Sequence, residues 1–137
     1  MQQLLSDPIR RAERLFGHRT AVIDGDVRYT YRELASRCRR LAAGLQLLGV
    51  DNGDRVAVLM ANSHRYLEAL IAIPAMGGVV VPLNNRLAVP EHRYILEDAG
   101  VLVLLADDAT AAVAGELASA VKEVVVAPDG YERLLRE

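Results

Sequence analysis

Three histidines (His18, His64 and His92), one cysteine (Cys38) and the pair Asp107-Asp108 are the side chains in this sequence best suited to metal binding or proton transfer. A zinc site needs ligands close in sequence or facing across a hairpin, so that their lone pairs converge on one ion. No histidine here has such a neighbour, and each is expected at the surface or at a helix end. Ser6, Ser36, Ser63 and Ser119 lack the Gly-x-Ser-x-Gly surround that lifts a nucleophile onto a sharp turn. Asp107-Asp108 is more simply explained as the opening of a helix, where negative charge meets the positive end of the dipole, than as a catalytic acid pair. Phosphate chemistry fares no better. The dinucleotide fingerprint Gly-x-Gly-x-x-Gly is absent, and a Walker loop needs Gly-Lys-Ser/Thr, whereas the sole lysine, Lys122, precedes a glutamate. Gly77-Gly78 lies between a helix and a strand, the wrong side for a phosphate cradle. Cys38 reads as a small apolar residue on a helix face. No catalytic, cofactor-binding or metal-binding residue is assigned from these patterns.

The elements that would have to position any site are more explicit. Arg55 to Leu87 reads as strand, helix, strand. Val56 to Met60 is apolar without alternation, as in a strand covered on both faces. Asn62 and Ser63 offer oxygens to a helix start. Tyr66, Leu67, Leu70 and Ile71 fall at helical spacing, Pro74 loosens the helix near Leu70, Gly77-Gly78 ends it, and Val79 to Val81 forms the next strand. Before this unit, Ala21 to Thr30 reads as a hairpin turning at Asp24-Gly25, with Val27, Tyr29 and Tyr31 alternating beyond it. Thr30 and Glu33 match a capping box, opening a helix with Leu34, Cys38, Leu41, Ala42, Leu45 and Leu48 on one stripe; Arg37, Arg39 and Arg40 are expected to be exposed. Gly49 ends that helix.

After the unit, a helix is expected from about Pro90, with Val89 a poor cap, to Ala99. Strands are expected at Val101–Ala106 and Glu123–Ala127, with a helix from Asp107-Asp108 between them. A last helical segment begins at Tyr131, and its Leu134 and Leu135 have no evident cover. The pattern predicts one α/β domain over residues 1–137: an N-terminal helix and hairpin, then alternating β and α units in a largely parallel sheet.

Composition narrows the partners. A formal net charge of −2 gives no reason to expect nucleic acid or an anionic membrane. One cysteine excludes an internal disulfide and fits a reducing cytoplasm. The first residues contain no apolar run long enough for a signal peptide or membrane span. They suggest a short helix capped by Asp7, with Pro8 in its first turn, Ile9, Ala12, Leu15 and Phe16 on one side, and Arg10, Arg11 and Arg14 on a solvated face.

Several segments together resemble one family. Tyr29-Thr30-Tyr31-Arg32-Glu33-Leu34 is similar to the first core motif of the adenylate-forming (AMP-binding) superfamily, which includes acyl-CoA synthetases, luciferases and amino-acid adenylation domains. The run from Gly49-Val50 through Gly53-Asp54-Arg55-Val56-Ala57 to Asn62-Ser63, the run Ala75 to Asn84, and Tyr94 to Gly100 also follow its pattern in order. Asn84-Asn85-Arg86-Leu87 resembles the Asn-x-Arg-Leu of acyl- and aryl-CoA ligases more than the continuation in amino-acid adenylation domains. The resemblance implies the first part of the large N-terminal domain of an acyl-CoA synthetase. Such an enzyme uses ATP, magnesium and CoA to turn a carboxylic acid into an acyl-CoA through an acyl-adenylate.

The resemblance places the phosphate loop, the nucleotide and magnesium motifs and the C-terminal domain with its catalytic lysine downstream of these residues. Lys122 lies before the last strand and is not that lysine. No catalytic residue is carried over, although Asn84 and Arg86 are the residues expected nearest a substrate region. The chain alone is expected not to adenylate, to pair with the remainder of a parent ligase, and to self-associate through exposed apolar surface. A free-standing, non-catalytic interaction module derived from the same fold and a piece of an amino-acid adenylation domain are the alternative readings.

Overall fold

The structure, a computed structural model, describes residues 4–137; Met1 to Gln3, the start of the segment read above for a leader, lie outside the described residues. Helix α1 (Asp7–Phe16) leads into strands β1 (Thr20–Asp24) and β2 (Val27–Thr30), an antiparallel hairpin. Then come α2 (Tyr31–Leu47), β3 (Arg55–Leu59), α3 (His64–Ala75), β4 (Val79–Pro82), α4 (Val89–Ala99) and β5 (Val101–Ala106). Helix α5 (Ala111–Glu116), a 3-10 turn at Ala118–Ala120, β6 (Glu123–Val126) and α6 (Asp129–Leu134) complete it. The four later strands form one sheet in the order β4-β3-β5-β6, and every pairing is parallel. The expected α/β architecture with a parallel sheet is the one observed.

Both faces of that sheet are covered, which is why its strands carry no polar alternation. Side chains alternate across a strand, so Val56, Val58 and Met60 face α2, α3 and α6, while Ala57 and Leu59 face α4 and α5. On the first side Leu41 and Leu45 of α2 are fully buried, each such leucine adding about 1.5–3 kcal/mol of burial. On the other, Leu96 of α4 and Leu117 after α5 close the second core. No helix among the described residues is long and apolar enough to cross a membrane.

The local signals hold where they are local. The Thr30 hydroxyl accepts from the Glu33 amide at 3.2 Å, and the Glu33 carboxylate accepts from the Thr30 amide at 2.7 Å, closing the capping box. Gly49 has φ +93°, with its amide donating to the Gln46 carbonyl and that of Val50 to the Leu45 carbonyl, a Schellman close. Gly77, at φ +87°, ends α3 in the same way, so Pro74 falls in the last turn of the helix.

Other expectations are corrected. Ser6, not Asp7, occupies the cap position of α1, and the Asp7 carboxylate instead accepts from the Leu4 amide. Tyr31 belongs to α2 rather than to the hairpin. Helix α4 opens at Val89 after Ala88, and Pro90 is its second residue; the Glu91 carboxylate accepts from the Ala88 amide in place of a cap side chain. Asp107-Asp108 forms a turn, because Asp107 is drawn onto β3, and α5 starts only at Ala111. Leu134 and Leu135 are not left uncovered: both are buried, Leu134 lying over Gly44, where a Cβ would come within 2.6 Å of its Cγ. Arg37 is not solvated but lies in a charged cluster between helices, and His64 and His92 are buried rather than superficial.

Candidate functional site at the carboxyl ends of the strands

In an open parallel sheet, ligands collect beyond the carboxyl ends of the strands where the winding direction reverses. Here β3 is followed outward by β4, and the chain then crosses to β5 on the other side, so the reversal lies between β3 and β5. Asp107, the first residue after β5, accepts from the Ala61 amide at 2.8 Å through one carboxylate oxygen and from the Thr110 amide at 3.0 Å through the other. The Thr110 hydroxyl accepts from the Asp107 amide at 3.1 Å, and its single proton finds the Leu59 carbonyl at 2.6 Å. From the β4 side, the Asn85 side-chain amide donates to the Met60 carbonyl at 3.1 Å. These groups lace the ends of β3, β4 and β5 together. With its carboxylate committed to two backbone amides, Asp107 fixes the geometry of the strand ends.

The sequence pointed to the neighbours of these residues. Asn84 and Arg86 are exposed in the loop after β4, and the Asn84 side-chain oxygen accepts from the Arg86 amide at 3.0 Å, closing a local turn. The structure brings Asn85, Asp107 and Thr110 to the reversal point instead. An Asp-x-x-Thr spacing directly after an apolar strand was the signal that could have found two of them.

The start of α3, next to the reversal point, is where backbone amides would meet a phosphate. It is already filled. Ser63 Oγ accepts from the Tyr66 amide at 3.2 Å, and the Asp24 carboxylate, reaching over from the hairpin, accepts from the His64 amide at 2.9 Å. Asp24 also meets His64 Nδ1 at 2.7 Å. Bonds from the His64 amide and then its ring hold the Asp24 carboxyl below its usual range. A negative side chain at the helix start excludes a second anion, so these residues do not fit ATP phosphates. Among the described residues no three His, Cys, Asp or Glu side chains gather where they could hold a metal ion.

Several other titratable groups are used structurally. Glu68 on α3 is fully buried and is gripped by Arg37, with Nε–Oε1 at 2.5 Å, and by the Tyr131 hydroxyl, which donates to Oε2 at 2.7 Å. Arg37 also forks onto Glu132 at 2.9 and 3.1 Å, and Arg65 reaches the same carboxylate at 3.0 Å. Burial opposes ionisation of Glu132, but the hydrogen bonds and charge of Arg37, then those of Arg65, outweigh it and hold the carboxyl low. Burial, with Glu68 beside it, pushes the Cys38 thiol up to about 12, which leaves it inert. His92 is completely buried on α4, and burial lowers its pKa, so its ring stays neutral. Ser119 accepts from Arg93 at 3.0 Å, a tie between α4 and the 3-10 turn after α5.

The sequence pattern of the AMP-binding enzyme family matches residues 9–135. This chain belongs to that family. A feruloyl-CoA synthase from Amycolatopsis sp. is 48% identical over 121 residues, covering 85% of this chain and 24% of that protein. A long-chain-fatty-acid–CoA ligase from Thermus thermophilus is 44% identical over 138 residues, covering 93% of this chain and 26% of its own length. The crystal structure of the N-terminal domain of FACL13 from Mycobacterium tuberculosis superposes with a TM-score of 0.93 at 30% identity, over 99% of this chain and 36% of that one. The chain thus spans about a quarter of the length of the curated relatives it matches, and corresponds to the N-terminal part of AMP-binding acyl-CoA ligases.

Proposed function

We propose that this chain supplies the framework for an acyl-CoA ligase that activates a carboxylic acid with ATP and magnesium. The carboxylate displaces pyrophosphate to give an acyl-adenylate, and the CoA thiol then displaces AMP. The observation that carries this reading is the match to CoA ligases over nearly the whole of one laced parallel sheet. The relatives act on an aryl and on a long-chain acid, and Asn84-x-Arg86-Leu87 supports the CoA-forming branch. The reacting groups come from outside these 137 residues, because the α3 start and the reversal point are filled from within. A single buried, reduced cysteine supports a cytoplasmic setting.

Two measurements test this. The purified chain should show no ATP–pyrophosphate exchange with ferulate or a long-chain fatty acid; exchange above background would refute the framework role. Replacing the corresponding segment of the Thermus thermophilus ligase with this chain should keep fatty acyl-CoA formation within about tenfold of the host. A folded chimera that has lost all activity would count against the reading.

A further inference from the structure

The ring of His92 is completely buried on α4, and neither of its nitrogens has a hydrogen-bond partner among the described residues. A neutral imidazole carries one N–H and one lone pair, and an N–H left unpaired in a core forfeits the bond it makes to water in the unfolded chain. The burial is complete within these residues, so no segment outside them is needed to account for it. A leucine would fill the place without that cost, as Leu96 does one turn later. An acceptor lies close by. The Leu87 carbonyl stands beside the ring and favours its proton, though out of line for a hydrogen bond. No backbone amide among the described residues donates to that carbonyl. A donor without an acceptor thus faces an acceptor without a donor.

Leu87 lies in the loop between β4 and α4. On the β4 side the loop is fixed to the sheet: the Leu83 amide donates to the Val58 carbonyl at 2.9 Å, and the Asn85 side chain donates to the Met60 carbonyl. On the α4 side the tie is the exposed bond from the Ala88 amide to the Glu91 carboxylate. Between them, Asn84 to Leu87 is held only locally, the Leu87 amide donating to the Asn84 carbonyl at 3.1 Å and the Arg86 amide to the Asn84 side chain at 3.0 Å. We propose that His92 is a positioning residue: a small rotation brings its single N–H onto the Leu87 carbonyl and fastens the turn carrying Asn84 and Arg86 to α4. On the ligase reading above, on which this role rests, that turn borders the acid substrate, and His92 acts through it without touching the substrate.

The test is nitrogen-15 NMR of the 137-residue chain, labelled at histidine, at neutral pH. His92 is expected as one neutral tautomer whose ring proton exchanges slowly enough to be seen; a mixture of tautomers, or a ring proton lost to water, overturns the proposal. His92→Leu should speed exchange of the Arg86 and Leu87 amides about tenfold, the equivalent of one net hydrogen bond, while the amides of β3 and β5 keep their protection. The side-chain amides of His92→Asn and His92→Gln stand in for Nδ1 and Nε2, and one of the two should recover most of the lost protection. Unchanged exchange in His92→Leu, a loss spread evenly over α4 and the sheet, or no rescue by either amide would make His92 a packing residue only. In the ligase chimera, His92→Leu should raise the KM for the fatty acid about tenfold and leave kcat within about threefold, because the loosened turn must then be ordered on binding. An unchanged KM would overturn the role towards substrate. A chimera inactive before any substitution counts against the ligase reading alone, since the NMR signatures read His92 without it.

Discussion

Glu68 is a carboxylate with no access to water, paired with Arg37 and hydrogen-bonded to Tyr131. Removing one partner from such a pair leaves an uncompensated charge, whereas replacing the pair with apolar groups can be neutral. Arg37→Met is therefore expected to lower stability by about 3–5 kcal/mol in urea unfolding, and Glu68→Leu in that background to recover part of the loss. Tyr131→Phe should cost about 1–2 kcal/mol. Glu132 adds a pH signature. Its folded pKa lies below its unfolded value, so the unfolded chain takes up the proton first as pH falls. Its contribution is complete above the ordinary value of 4.5 and drains away as pH drops through the folded pKa. Melting temperature should fall below that pH, and Glu132→Gln should flatten part of the slope while lowering the plateau above it. None of this could be read from the sequence. The partners of Arg37 lie 31 and 95 residues away, and periodicity reports only that a residue sits off the apolar stripe.

At the scale of elements, legibility follows the reach of each signal. Helix α2 could be read because Thr30 and Glu33 are three residues apart and Gly49 acts on the turn before it. The sheet strands could be read because burial on both faces leaves unbroken apolar runs. Asp107 was misread because its partner, the Ala61 amide, lies 46 residues upstream; a helix dipole was the nearest local explanation. Gly44 gave no signal in the middle of an apolar stripe, yet it makes room for the backbone and side chain of Leu134. Gly44→Ala should force α6 outward and cost about 1–3 kcal/mol, despite the better helix propensity of alanine. The check is chemical denaturation together with hydrogen exchange: amides of α6 should lose protection while those of β3 keep it. Uniform loss of protection would show that α6 is not a separable closing element.

For the molecule as a whole, the exposed apolar side chains fall in separate places: Leu4, Leu5, Leu15 and Phe16 around α1, Leu67, Leu70 and Val79 near the outer edge of the sheet, Ile23 on the hairpin, Leu47 at the end of α2 and Tyr94 on α4. Strand β4 is an edge strand, with one side of its backbone unpaired within the sheet. We propose that the isolated chain self-associates along this edge. Light scattering should give a mass that rises with concentration, and Val79→Lys should return it to that of one chain. A mass of one chain at every concentration would set the proposal aside.

The clasp of Glu132 on Arg37 also imposes an order on synthesis. Arg37 leaves the ribosome 95 residues before Glu132 does, a wait of about 5–20 s at ordinary elongation rates. Once Glu68 has followed, 31 residues after Arg37, it and the groove at Gly44 have no lid until α6 arrives, so the nascent chain carries an unfinished core over that stretch. Synonymous codon changes that slow translation between α3 and α6 would lengthen that exposure without altering one residue of the finished protein.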